Sequence, residues 1–274
     1  SAITISPSVE PDAYKHLYKE KVAGHLVGAG FNEIFTNSIT NDAYYDEDEL
    51  KHAVRLLNNL SAVHNIMRPS MLQTGLEAVA YNLNRKNNNL LFFEFGKTYK
   101  TSEPANYQQA NHLSLYATGN LSEDSWKGKG TASDIFYHKG IVNRLLALAG
   151  INKVEWKAGS NAKLSSVITL TTDKQQLVEL GLVAKKELNR FDVKQPVYYA
   201  DIQWDLVLDK ASKSSIDFKE LPRQLPVHRD LAMVVPRSLS YKEVEQAVLG
   251  ARIEKLQEMR LFDIFESDKL GADK

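Results

Sequence analysis

Leu72, Leu76, Val79 and Leu83 fall at spacings of 4, 3 and 4, and only the polar run Lys86-Asn-Asn-Asn89 separates them from the apolar run Leu90-Leu-Phe-Phe-Glu-Phe95. The first period is that of a one-sided helix and the second run reads as a buried strand. The alternation recurs. A helix is expected from Pro11, with Tyr14, Leu17, Tyr18, Val22 and Leu26 on one face and glycines at 28 and 30 to stop it, then a strand over 31–39. Another helix carries Tyr137, Ile141, Leu145 and Leu148, with Ser133 as its expected cap and Gly150 at its end. Strands are expected over 112–118, 154–156, 167–171, 178–183 and 197–204. Many of the connections are too short for crossovers, so the pattern predicts an α+β chain dominated by antiparallel pairing.

The region from Lys210 to Pro226 is small, polar and proline-flanked, and marks a domain boundary. Beyond it, Leu231–Val235 and Leu261–Phe265 read as strands on either side of a helix opened by the capping box Ser240-Tyr-Lys-Glu243. One such β-α-β unit cannot bury its sheet alone. Ser1-Ala2 and the last residues, 270–274, read as cut ends.

Charge and composition exclude several classes. The 274 residues hold 34 Lys+Arg and 34 Asp+Glu, which argues against a chain whose main business is long-range attraction to nucleic acid or an anionic membrane. With no Cys there is no disulfide framework, zinc ribbon, thiol nucleophile or iron–sulfur cluster, and the composition suits a reducing cytoplasm. Apolar runs fall short of the ~18 residues of a membrane span.

Familiar catalytic patterns are mostly missing. Gly128-Lys129 has Glu123 where a phosphate-binding loop needs its first glycine, and Gly28-Ala-Gly30 follows a helix instead of a strand. The seven histidines show no i, i+4 pairing, so no metal site is expected. The acidic run Asp46–Glu49 reads as a solvated face before it reads as a cation site.

Gly30-Phe-Asn-Glu-Ile-Phe-Thr-Asn-Ser38, Asn65-Ile-Met-Arg-Pro-Ser-Met-Leu72 running into Gly75–Arg85, Leu91-Phe-Phe-Glu-Phe-Gly96 and, later, Arg223–Phe265 occur in an order and at separations that resemble the bacterial phenylalanyl-tRNA synthetase beta subunit. The resemblance implies a class II synthetase-like core over 1–210, an antiparallel sheet flanked by helices, then a linker over 211–226. It also implies the start of a ferredoxin-like βαβ anticodon-binding domain over 227–274. It further implies a non-catalytic scaffold that assembles with the alpha subunit and positions tRNA(Phe), while the parent complex uses ATP and magnesium in the cytoplasm.

The class II fold holds ATP with arginines and a glycine-rich strand-to-helix junction. In the corresponding stretch, Asp201 and Gln203 stand where catalytic relatives have glycines, and Leu206 stands where they have arginine. A carboxylate there repels a triphosphate, so the resemblance implies a lost ATP site and no catalytic residue. Arg68, framed by Met67 and Pro69, is expected to orient its loop or pair with an acidic residue at the core edge. Tyr14, Leu17 and Tyr18 are candidates for core packing or for the subunit contact, and Arg229 and Arg237 for RNA phosphates. From Asp217 to Lys274 there are 10 Lys+Arg against 11 Asp+Glu, so RNA recognition there would depend on stacking and a few base contacts. Two other readings remain: a stand-alone ATP-dependent acylating enzyme, and a pure protein-interaction module. The editing and N-terminal RNA-binding regions of the family lie outside this sequence.

Overall fold

The computed structural model describes residues 13–58, 61–103, 106–152, 154–172, 175–213, 218 and 225–265. In chain order the first part contains α1 (Ala13–Gly28), β1 (Asn32–Glu33), β2 (Ile39–Thr40), a 3-10 turn (Asp42–Tyr44), α2 (Glu47–Leu50), β3 (Ile66–Met67) and α3 (Leu72–Leu83). The long pair β4 (Leu90–Glu103) and β5 (Asn106–Thr118) follows, then α4 (Ile135–Leu148), β6 (Trp156–Ala158), β7 (Leu164–Thr172), β8 (Gln175–Val183), α5 (Lys185–Arg190), β9 (Val197–Gln203) and α6 (Trp204–Ser212). The chain divides into two units, Ser1–Asp217 and Phe218–Lys274.

In the first unit seven strands form one sheet in the order β1-β4-β5-β9-β8-β7-β6, while β2 and β3 pair separately. Every pairing in the large sheet is antiparallel except β1 with β4, where Asn32 sits opposite Phe92. That exception follows from chain length. The stretch joining β1 to β4 includes α3, long enough for a crossover.

Alternation along the strands sorts side chains onto two faces. Phe93, Leu113, Leu115, Leu180, Ala200 and Ile202 pack against Tyr18, Val22 and Leu26 of α1, Ile141, Val142 and Leu145 of α4, and Trp204 and Val207 of α6. Phe92, Tyr116, Val183 and Tyr199 point the other way, onto Leu72, Leu76 and Val79 of α3 and Leu188 of α5. The stripe of Leu72, Leu76 and Val79 is therefore the cover of one face of the sheet.

Several local expectations are corrected. The strand expected over 31–39 is only two short pieces, because Thr36, between them, directs its backbone N–H (3.2 Å) and hydroxyl (2.7 Å) to the Glu94 carboxylate instead of a ladder. Asp134, not Ser133, caps α4 by accepting from the Tyr137 N–H at 2.7 Å, and the Ser133 hydroxyl bonds instead to Nε2 of His138 at 2.6 Å. The strand expected at 154–156 begins only at Trp156. Trp204, expected to end a strand, opens α6, and the polar residues at 210–212 are the last turn of that helix.

In the second unit, α7 (Tyr241–Gly250) carries the expected capping box: Ser240 accepts from the Glu243 N–H and Glu243 accepts from the Ser240 N–H at 2.8 Å. The strands expected at 231–235 and 261–265 have no ladder partner among the described residues. Two strands joined by one helix in a split β-α-β arrangement leave a gap for a third between them, so neither supplies the other's hydrogen bonds. Leu231, Phe262 and Ile264 are accordingly exposed, and no α7 side chain is buried.

Candidate functional site

On the sheet face under α3, polar groups replace part of the apolar packing. Arg68 and Glu94 are both almost wholly buried, and the guanidinium Nη1 donates to the carboxylate at 3.1 Å. Nη1 also donates to the Thr36 hydroxyl at 2.6 Å, and Nε donates to the Lys97 carbonyl at 2.8 Å. The charges satisfy each other with added hydrogen bonds, the condition under which a buried pair is tolerated. Close packing enforces the arrangement: a Cβ at Gly96 would lie 2.2 Å from Cε of Met71 and 2.4 Å from Nη2 of Arg68. Arg68 therefore pairs with an acidic residue of the core, as its setting before Pro69 suggested.

A second network lies on β4, β5 and β9. His112 directs Nδ1 at the Asp201 carboxylate (2.9 and 3.1 Å), and its Nε2 meets the Thr98 hydroxyl at 2.9 Å. A carboxylate can only accept, so Nδ1 carries a proton. Asp201 also accepts from the Ser114 hydroxyl at 3.2 Å and from Nε2 of Gln203 at 3.3 Å. Glu179 stands directly across the ladder from Asp201, and burial raises the pKa of its carboxyl, while Asn161 donates to it at 2.7 Å. Burial likewise holds the Tyr116 and Tyr199 phenols well above their usual range, and the Tyr116 hydroxyl donates to the Met71 carbonyl at 2.6 Å.

Above this floor is a cavity of about 330 Å³, bordered by Glu179, Asp201 and Tyr199 below and by Asp46, Asp48, Glu49 and Lys163 at its edge. Half of the acidic run is the expected solvated face, with Glu47 and Asp48 exposed, while Asp46 and Glu49 are held by cations. Asp46 takes Nη2 of Arg190 at 2.9 Å and Nζ of Lys186 at 3.3 Å, and Glu49 takes Nζ of Lys163 at 2.5 Å. The bond to Arg190, first, and the Lys186 ammonium hold the Asp46 carboxyl below the usual carboxylate range. Arg190 also donates to the Tyr44 carbonyl. A polyanion entering here meets five carboxylates and one lysine, and that lysine is already paired.

The residues singled out from sequence separate into three places. Asp201 and Gln203 come together on β9 with His112, whereas Leu206 turns away on α6 and packs partly buried against the α1–α4 core. Tyr18 belongs to that core, its hydroxyl donating to the Leu145 carbonyl at 3.0 Å and its ring stacked on Trp204. Leu17 is 71% exposed and Tyr14 39%. Arg229 and Arg237 are exposed in the second unit, and Nη1 of Arg229 donates to the His228 carbonyl. His112 escaped sequence reasoning because its acidic partner is 89 positions away, with no local spacing to signal it.

Two solved pyrrolysyl-tRNA synthetase structures from Desulfitobacterium hafniense share this fold, with TM-scores of 0.57 and 0.56 at 16% and 18% identity, each comparison covering 74% of this chain and 72% of the other. A family model described as the phenylalanyl tRNA synthetase beta chain CLM domain matches residues 3–204, and one described as a ferredoxin-fold anticodon binding domain matches 222–274. Phenylalanine–tRNA ligase beta subunits of Bacteroides thetaiotaomicron (36% identical, 92% of this chain and 33% of the relative) and Bacteroides fragilis (37%, with the same coverage) are similar throughout. That of Porphyromonas gingivalis is 32% identical over 95% of this chain and 34% of its own length. The chain thus spans about a third of the length of these curated relatives. With one family model matched across most of the first unit and a second across most of the other, the chain belongs to the phenylalanyl-tRNA synthetase beta subunit family.

Proposed function

We propose that the chain is a non-catalytic scaffold of a phenylalanine–tRNA ligase, assembling with the alpha subunit and helping to place tRNA(Phe) for charging. The observation that carries this reading is the sheet face under α3, filled by the chain's own Arg68–Glu94 pair and by Tyr116, and floored by Asp201 and Glu179. These residues do not fit ATP. Arg68 is spent on Glu94, Asp201 and Gln203 put side chains where a backbone would approach a phosphate, and Leu206 offers no cation. ATP and magnesium then belong to the alpha subunit's chemistry, and this chain carries no catalytic residue.

Leu17 and Tyr14, two of the exposed apolar residues of α1, are offered to the alpha subunit, with Tyr18 supporting them from the core. Arg229 and Arg237 are offered to tRNA phosphates by the second unit. Among the described residues no helix is long and apolar enough to cross a membrane, and the proposed place of action is the cytoplasm. Co-purification with a tagged alpha subunit tests the assembly, and calorimetry with ATP tests the lost site. The expected results are capture of the alpha subunit and no ATP heat from this chain. Stoichiometric ATP binding to this chain would instead support an independent acylating enzyme.

A further inference from the structure

The most exposed tryptophan of the molecule sits on the connection between β5 and α4. Trp126 is 91% exposed, at the tip of a small hairpin in which Ser125 and Gly128 exchange backbone hydrogen bonds of 2.9 and 3.1 Å. The hairpin is held from inside. Leu121 N–H donates to the Thr131 carbonyl at 2.7 Å, Asp124 accepts from the Gly130 N–H at 2.7 Å, and the Ser122 hydroxyl accepts from the Thr131 N–H at 3.1 Å. Gly130 is required for closure, since a Cβ there would lie 2.0 Å from the Ser122 carbonyl oxygen. Such a tip presents an aromatic ring at little further cost in conformational entropy on binding.

The charge at the tip is positive. Lys127 places Nζ 5.3 Å from the Trp126 ring centroid, and Lys129 follows two residues later, with no ion pair to either lysine among the described residues. Behind the tip, Glu123 and Asp124 balance the two lysines in net charge, and one Asp124 oxygen is held by the Gly130 N–H. Exposed tryptophans that anchor protein partners lie at the centre of a desolvated patch ringed by further contacts. Here the neighbours are Ser122, Glu123, Asp124, Ser125, Lys127 and Lys129, all polar and all exposed. A lone aromatic face beside ammonium groups is instead the combination that stacks an unpaired nucleobase while contacting its phosphate.

We infer that the Trp126 hairpin is an RNA contact of the first unit: the indole stacks on an unpaired base and Lys127 and Lys129 meet the adjoining phosphates. The inference extends the tRNA role beyond the second unit and draws on the scaffold reading only for the source of the strand. Fluorescence titration of the 274-residue chain with an unstructured RNA decamer and with tRNA(Phe) tests it, because the other two tryptophans, Trp156 and Trp204, are less exposed. Saturable quenching is expected, lost in Trp126→Phe while competition shows that binding persists. Trp126→Ala should bind roughly 5- to 150-fold more weakly, the range for one stacked base. The Lys127→Ala/Lys129→Ala double variant should lower the salt dependence by about one unit of slope or more. Quenching by both RNAs identifies any unpaired strand as the ligand, and quenching by tRNA(Phe) alone identifies a folded-tRNA element.

Unchanged affinity in Trp126→Ala overturns the inference. So does a Trp126→Ala chain that loses the alpha subunit but keeps its RNA affinity, since the hairpin is then a protein contact. A wild-type chain that binds RNA through Trp126 yet captures no alpha subunit sinks the scaffold reading and leaves the hairpin standing.

Discussion

The two faces of the seven-stranded sheet are built on different physics. Toward α1 and α4 the strands offer Phe93, Leu113, Leu115, Leu180 and Ile202, and cohesion comes from apolar burial into close-packed helices. Toward α3 the same strands offer the buried Glu94, Thr98, His112 and Ser114 and the partly buried Asp201, which are tolerated there only because each has a partner. The polarity of that face is turned inward. Ion pairs and hydrogen bonds within the chain engage these groups.

The largest effect should therefore come from unpairing the polar face. Arg68→Leu leaves the Glu94 carboxylate buried without its cation and is expected to cost about 3–5 kcal/mol in urea unfolding. Arg68→Leu/Glu94→Leu should recover much of that loss, because two apolar side chains carry no stranded charge. A single variant within about 0.5 kcal/mol of wild type would mean that solvent reaches the pair, and the contrast between faces would fail. On the apolar face Leu180→Ala is expected to cost about 3 kcal/mol through lost burial and the cavity left behind, with no second substitution that rescues it by removing a partner.

The apolar side also buries a histidine. His138 of α4 is 2% exposed, between Phe31 and Tyr198, with its Nε2 on the Ser133 hydroxyl. Burial, opposed by the Asp134 charge, pushes its pKa down from 6.5 to about 4. The unfolded chain takes up the proton first, so this contribution is full above about pH 6.5 and is lost as pH falls toward 4, by on the order of 3 kcal/mol. Urea midpoints across that window should decline, and His138→Gln should flatten the decline. A slope unchanged by the substitution would assign the pH dependence to other groups.

Much of this contrast was legible in the sequence, and the gaps have physical causes. The stripes of α1, α3 and α4 and the cores of β4, β5, β7, β8 and β9 declare themselves through periodicity, because a helix or strand buried on one side repeats its apolar residues. The strand expected over 31–39 failed where Thr36 bonds to Glu94, 58 positions on, a tertiary partner that no local window contains. Helix α5, six residues long, has too few turns to show a stripe, and α6 was hidden because Trp204 suits a strand as well as a helix start. The Arg68 pairing could be anticipated from its place before Pro69, but His112–Asp201 and the clasp of Asp46 by Arg190 join residues 89 and 144 positions apart. Pairing of that kind is decided by the sheet order, which periodicity leaves open.

The smallest expected effect divides helix α1 between the apolar core and solvent. Tyr18→Phe keeps the ring stacked on Trp204, with centroids 5.4 Å apart, and removes only the hydroxyl that donates to the Leu145 carbonyl in the last turn of α4. The loss should be about 1 kcal/mol in urea unfolding, the usual net worth of one such bond, with capture of the alpha subunit unchanged. Leu17→Ala, one position away and solvent-facing, should change stability by less than about 0.5 kcal/mol yet weaken capture, because its burial would come only from a partner. If Tyr18→Phe weakens capture while Leu17→Ala does not, the side of α1 that meets the partner is the side that this chain already buries. Its core contacts would then have to rearrange on assembly.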